Sequence, residues 1–358
     1  MSLTSTSRAS CADCPEPRSF LGALCRPARC SDRSPPLKIA GYIGGLLGLA
    51  LLTILFIRAD LGAMLRTLDL AGWSLLWLAP YRIGFFLLYA IGWRELLRSC
   101  DPDPRAGLGY VFWVTTVRDA IDRLLPVASI GGGVAAVRLM RWRGLATTPV
   151  VASVIVEILL TLVVVYLFTA VGLLLLIHIS GPSFEFRRLL LAFAVTVPVP
   201  AVIALLLRYG SVFKRLQRLL RPLVGSRLWS EGAASLDQEL SESLRRGWVL
   251  LLVGALQLVA VISASFEVWF ALQLFGHPVT VGSAVALESL TQATRYLAFV
   301  VPAGLGVQEA AFVLFGHLLG MSAAITLAVS MAKRLREVLC GLPSLISWQW
   351  AEGRRLRG

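Results

Sequence analysis

An all-α bundle that crosses a membrane several times is what these 358 residues should build, and three observations say so. Apolar residues make up 57% of the chain and charged residues only 15%, against about 25% charged in ordinary soluble domains. Apolar runs of near-membrane length recur, and roughly 20 such residues in a helix cross the hydrocarbon core. No polar region of domain size separates the runs after the N-terminal tail; apart from the loop 208–246, the interruptions are Pro/Gly clusters and isolated ionisable residues. The spans should be helices, because lipid offers backbone groups no partner outside their own segment.

Taken in order, residues 1–36 are rich in Ser, Pro and Arg, and read as a disordered cytoplasmic tail. Cys11, Cys14, Cys25 and Cys30 lie there at spacings a four-thiolate metal site could use. No folded knuckle surrounds them, so reduced, incidental thiols and no metal are expected. The integral domain follows over residues 37–350, with 351–358 as a second tail. Six main spans are expected within it: Leu37–Ile57, Gly72–Gly92 around Arg82, Thr148–Ile179 around Glu157, Leu189–Leu207, Gly247–Phe275 around Glu267, and Met321–Trp350 with a charged centre.

Two further stretches, 107–140 and 280–320, start apolar and then meet Pro/Gly clusters: Pro126 with Gly131, Gly132 and Gly133, and Pro302 with Gly304 and Gly306. Each reads as a hairpin of two helical arms. Irregular backbone at membrane depth survives only where protein or water covers it. The segments Leu125–Val137 and Val301–Val313 also match each other, allowing one gap. Both run from an apolar-Pro pair through small residues to an aliphatic-Gly step and an Ala-Ala helix start. By the topology below, the hairpins enter from opposite sides, giving an inverted repeat of the kind that places a transporter's binding site near the midplane.

Orientation follows from Lys and Arg in the short connections. The tail, Arg94–Arg105, Arg138–Arg143, Arg208–Arg227 and the final Arg354-Arg355-Leu356-Arg357 are basic, whereas the connections near Asp60–Asp69 and 276–280 are poor in bases. Both termini and the loop 208–246 are therefore expected to be cytoplasmic. The net charge of +13 reads as this asymmetry plus affinity for an anionic leaflet, and nucleic acid is not an expected partner. In the loop, Lys214, Arg215, Arg218 and Arg221 alternate with Val212, Phe213, Leu216, Leu219 and Leu220, as in a helix lying on a lipid surface. A second short helix is expected over 235–246, using Leu236, Leu240 and Leu244.

Ionisable residues inside a membrane are costly and point to a polar interior. The candidate substrate-binding set is Arg123 in the first hairpin, Glu157 in its span, Glu288, Gln292, Arg295, Gln308 and Glu309 in the second hairpin, and Lys333, Arg334 and Glu337 in the last span. Arg118, Asp119, Asp122 and Arg336 share these segments; Asp119, Asp122 and Glu267 read as charge-neutralising structure. Lys333 and Glu337 have i,i+4 spacing and can pair on one face. Around Arg295, Glu309 and 333–337 the bases exceed the acids, which favours an anionic headgroup such as a phosphate, with amides at the helix starts near Gly131 and Gly306 as further donors.

At these residues the chain resembles the lysylphosphatidylglycerol synthase transmembrane, or flippase-like, family. The resemblance is carried by Leu125–Arg138, Val301–Glu309, Met331–Glu337 and Gly341-Leu342-Pro343, runs over about 38–350, and is nearest the hopanoid-biosynthesis-associated branch. It departs from the family pattern at Ser129 and Gly133, where an Arg and an acid are usual. The resemblance implies a multi-pass protein of the bacterial inner membrane that binds and translocates a lipid. An accessory subunit or membrane enzyme of lipid or isoprenoid biosynthesis, working with other proteins of that pathway, is the alternative. His178, His277 and His317 show no ligand spacing, no Walker loop is present and no cofactor is expected.

Overall fold

The computed structural model describes residues 72–98, 100–101, 104–125, 131–180, 228–298, 301 and 304–357. The tail 1–36, the expected spans Leu37–Ile57 and Leu189–Leu207, the basic stretch Arg208–Arg227, Pro126 and Pro302 lie outside the described residues. Every described element is a helix.

A 3-10 turn, Gly72–Trp77, leads into α1, Leu78–Leu97. The expected span started earlier, at Gly72, and stopped at Gly92. The α-helix instead opens just before Pro80, whose missing N–H costs nothing in a first turn, and continues past Arg94 and Glu95. Next come α2, Leu108–Leu124, and α3, Gly131–Trp142, as the first hairpin, followed by α4, Thr147–Ser180. Helix α5, Leu228–Arg245, starts seven residues before the short helix expected there. Its Leu240 is fully buried, and Leu236 and Leu244 pack on the same core. Then follow α6, Gly247–Leu274; the second hairpin, α7, Val281–Leu297, and α8, Val307–Leu318; and α9, Ala323–Arg357. Helices α4 and α6 are long and apolar enough to cross a membrane by length and composition. The others of span length carry too many charges to pass that test alone.

Helix α2 ends at Leu124 and α3 opens at Gly131, while α7 ends at Leu297 and α8 opens at Val307, which corrects one reading. Gly131, Gly132 and Gly133 do not sit in the first break but form the opening turn of α3. Asp122 explains this: its carboxylate accepts the Gly132 N–H at 2.9 Å, which ties the new helix start back to α2. In the second break, Gly304 (φ +60°) and Gly306 (φ +75°) adopt the left-handed conformation that favours glycine.

Helices α1–α4 and α6–α9 pack as two equivalent units. Helix α1 lies on α6, antiparallel, with Gly92 against Val253 and Leu256. The first arm of each hairpin leaves its own unit and packs on the other unit's last helix: α2 on α9, α7 on α4. Both crossings are antiparallel. Trp113 donates to Ser347 at 2.8 Å and Leu124 abuts Gly341 in one; Gly172 meets Ser289 and Gly282 meets Ile179 in the other. Within each unit the same pairs recur: α1·α2 with α6·α7, α2·α3 with α7·α8, α3·α4 with α8·α9, and α1·α4 with α6·α9. Exchanging the two units leaves the packing pattern unchanged while reversing every helix direction, which is the geometry of an inverted repeat.

Two apolar cores fill the ends of the bundle. One is built around Leu272, Leu287, Phe312 and Leu327, the other around Trp93, Val114, Leu139, Met140 and Val253. In α9 the first core ends at Ala332 and the second resumes at Leu345, so Lys333–Glu337 falls between them. Lipid tails are as apolar as these cores, so close packing and polar ties between helices hold the bundle, not water exclusion. Trp93 to Ser153 (3.2 Å) and Tyr110 to the Leu139 carbonyl (2.6 Å) are such ties.

Candidate functional site: a charged layer where the hairpin tips meet

The charged layer occupies the gap between the two cores. Lys333–Glu337 lies ten to fourteen residues into α9, about 15–21 Å at 1.5 Å per residue. Both hairpins bring the ends of their first arms to this level.

Glu337 is the junction. Its Oε1 accepts from Arg123 Nη1 of the first hairpin at 2.6 Å and from Arg295 Nη1 of the second at 3.4 Å. Arg334 Nη1 donates to its Oε2 at 3.4 Å, and Arg336 Nη2 lies 3.8 Å from Oε1. Arg295 also donates to Gln308 Oε1 at 2.7 Å; Gln308 donates to Ser330, which donates to Glu309 Oε1. Arg334 Nε reaches the same Glu309 oxygen at 3.0 Å, and its Nη2 reaches the Gly304 carbonyl in the second break at 3.2 Å. On the far side, Arg123 Nε and Arg82 Nη2 share Asp119 Oδ1, at 2.8 and 3.0 Å. Arg336 pairs with Glu267.

The ten residues expected to bind substrate do not form one group. Arg123, Arg295, Gln308, Glu309, Arg334 and Glu337 join in the network just described. Glu288, Gln292 and Lys333 form a second group, with Lys333 Nζ 2.5 Å from Glu288 Oε2 and Gln292 Nε2 3.0 Å from Glu288 Oε1. Glu157 pairs with Arg118, and no bond joins that pair to Glu337 among the described residues. The Lys333–Glu337 pair that the spacing allows is not formed. Glu288 is buried on α7, and an intrahelical Lys333–Glu337 pair would leave it without a cation. Each unit thus carries one pair between a hairpin arm and the helix that follows the hairpin, with the charges reversed: Arg118–Glu157 and Glu288–Lys333.

Arg82 was passed over in the sequence as a mere interruption of a span. It is buried, bound to Asp119, and its guanidinium lies 3.8 Å from the Phe85 ring centroid. A lone Arg at mid-span was the signal. Of the acids expected to neutralise charge, Asp119 meets Arg82 and Arg123 and Glu267 meets Arg336, whereas Asp122 accepts the Gly132 N–H.

Charge and exposure together define what the network can do. Arg82, Arg123, Arg295, Arg334 and Arg336 face Asp119, Glu267, Glu309 and Glu337: five guanidiniums against four carboxylates. Exposure is uneven within both kinds of group: Arg82 and Arg336 are buried, and Asp119 is 25% exposed. The side chains of Arg123, Arg295 and Arg334 are 21%, 20% and 17% exposed, those of Glu337 and Glu309 only 2% and 0%. Arg295 is the least compensated base, since Glu337 is already engaged by Arg123 at the shorter distance and Gln308 is neutral. A cavity of about 300 Å3 bounded by Cys100, Pro149, Glu239, Glu242, Ser243 and Arg246 lies elsewhere, between α4 and α5.

An antiparallel pair of broken-hairpin units enclosing a charged layer is the architecture of an inverted-repeat helix bundle. The family follows from the sequence itself: residues 42–343 match the model of the lysylphosphatidylglycerol synthase transmembrane region, and the chain belongs to that family. It is therefore a membrane protein linked to lipid metabolism. No curated protein and no solved structure matches it.

Proposed function

We propose that the protein binds the anionic headgroup of a lipid at the joined hairpin tips and translocates it across the bilayer. The supporting observation is the weakly compensated guanidinium at Arg295, set with Arg123 and Arg334 as partly exposed bases beside the buried Glu309 and Glu337. Guanidinium donors suit a phosphate or carboxylate because they present paired N–H groups in one plane. The inverted units supply two related arrangements of the same helices, one open to each leaflet. In our reading the protein sits in a bacterial inner membrane with both termini cytoplasmic. Arg141, Arg354 and Arg355 cluster at one end of the bundle, where Arg355 lies over Trp142 and Arg138 pairs with Glu352. Hopanoid synthesis is the lipid context we propose, on the resemblance at Lys333–Glu337 and Gly341–Pro343.

The test is lipid translocation in proteoliposomes by Arg295→Gln and Arg334→Gln variants that still insert and accumulate. Loss of translocation is the expected result. Full activity in both variants would reduce the charges to structural ties. Leaflet-resolved lipid profiling of a deletion strain then reads the cargo, and an unchanged hopanoid distribution would exclude that context.

A further inference from the structure

Given the anion-binding reading above, we propose that Glu337 is an internal stand-in for the headgroup: it holds the two hairpin tips together in the empty protein and is displaced when a lipid oxyanion takes its arginines. Three features carry this. A single carboxylate oxygen, Glu337 Oε1, accepts from Arg123 of one hairpin and Arg295 of the other. No other side chain bonds to both hairpins' first arms among the described residues. The same two arginines, with Arg334, are the partly exposed bases of the layer, so an incoming oxyanion meets donors that already point at a carboxylate. The contacts are also unequal: 2.6 Å to Arg123 but 3.4 Å to Arg295 and to Arg334. Arg295 is thus the donor that a competitor wins first.

The ligand this selects is an amphiphile whose headgroup carries at least one anionic oxygen, phosphate or carboxylate. A headgroup without one has nothing to exchange for Glu337. When the oxyanion takes Arg295, the link between the hairpins is cut at one side, and α2 and α7 are freed to move separately on α9 and α4. Headgroup binding and the release that translocation needs are then one event. Glu337 acts through the arginines; it is a positioning residue that also competes.

The distinguishing test asks for a gain. Binding of tail-labelled phosphatidylglycerol to the purified full chain in neutral detergent is compared among wild type, Glu337→Gln, Glu337→Asp and Arg295→Gln, with inorganic phosphate as competitor. Glu337→Gln removes the competing anion, so lipid should bind roughly tenfold tighter, while translocation in proteoliposomes falls to background. Glu337→Asp keeps the charge but draws it back from the arginines, so it should bind with intermediate affinity; it also decides the matter if Glu337→Gln fails to accumulate. The tightening should vanish when Arg295→Gln is combined with Glu337→Gln. Unchanged or weaker binding in the Glu337 variants, with weaker binding in Arg295→Gln, would overturn the stand-in and leave the anion site intact. Unchanged binding in Arg295→Gln would overturn the anion site itself. Inorganic phosphate as potent as the lipid would mean a free-anion site rather than a lipid site.

Discussion

Replacing Gly172 by alanine tests the crossing on which the two-unit architecture depends. Gly172 of α4 faces Ser289 of α7, where a methyl group would lie 1.7 Å from Ser289 Oγ and 2.9 Å from its Cβ. Rotating the hydroxyl relieves the first overlap. It does not relieve the second, because the Cβ is fixed to the backbone. The helices must therefore separate by a few tenths of an ångström along a contact that also includes Gly282 against Ile179. Overpacking of this kind costs about 1–3 kcal/mol. Ser289→Gly removes both clashing atoms, and the next neighbour, Ala286 Cα, is at 3.6 Å, an ordinary contact. The double variant should thus recover most of the loss, with a coupling energy of roughly 1 kcal/mol or more in a double-mutant cycle. Thermal unfolding of the purified protein in detergent measures all four corners. A Gly172→Ala variant as stable as wild type, or one that Ser289→Gly fails to rescue, would refute the reciprocal packing of α7 on α4.

Two further outcomes are expected. Gly304→Ala forces a left-handed residue at φ +60° and sets a methyl 3.4 Å from Arg295 Nε; it should cost about 1–2 kcal/mol and weaken lipid binding in a fold that unfolding curves show to be intact. Burial pushes the Cys100 thiol up to about 11, so it is protonated and unreactive at neutral pH; maleimide labelling, read at Cys100 by peptide mapping, should rise only as pH climbs towards that value.

Much of this protein could be read from residue type and spacing, and the remainder could not, for a physical reason. Thr147–Ser180 and Gly247–Leu274 were visible because their apolar runs exceed what a span needs. The hairpins were visible because Pro126 and Pro302 stand beside clustered glycines, a combination that favours a break, whereas Pro343 is accommodated within α9. Membership of the charged layer was also visible, since Arg295, Glu309, Arg334 and Glu337 stand out against apolar neighbours. Their pairing was not. Which acid meets Lys333 depends on how α7 and α9 are rotated and how deep each sits. Neither quantity is encoded in the spacing within one helix, so the i,i+4 rule allowed Glu337 where the bundle chose Glu288. Arg82 escaped for the same reason: its meaning lies in Asp119, a residue of another helix.

The exchange of hairpin arms between units sets the order in which the chain can be completed. Arg123 and Glu337 are 214 residues apart in sequence, so during synthesis the first hairpin enters the bilayer long before α9 exists. Until then its guanidinium has Asp119, four residues away on the same helix, as a local partner. Neither half can reach its final packing alone, because each stores one arm of its hairpin on the other. A chain stopped before Ala323 would leave α2 without the surface it needs, and the final 35-residue helix closes both halves in a single step.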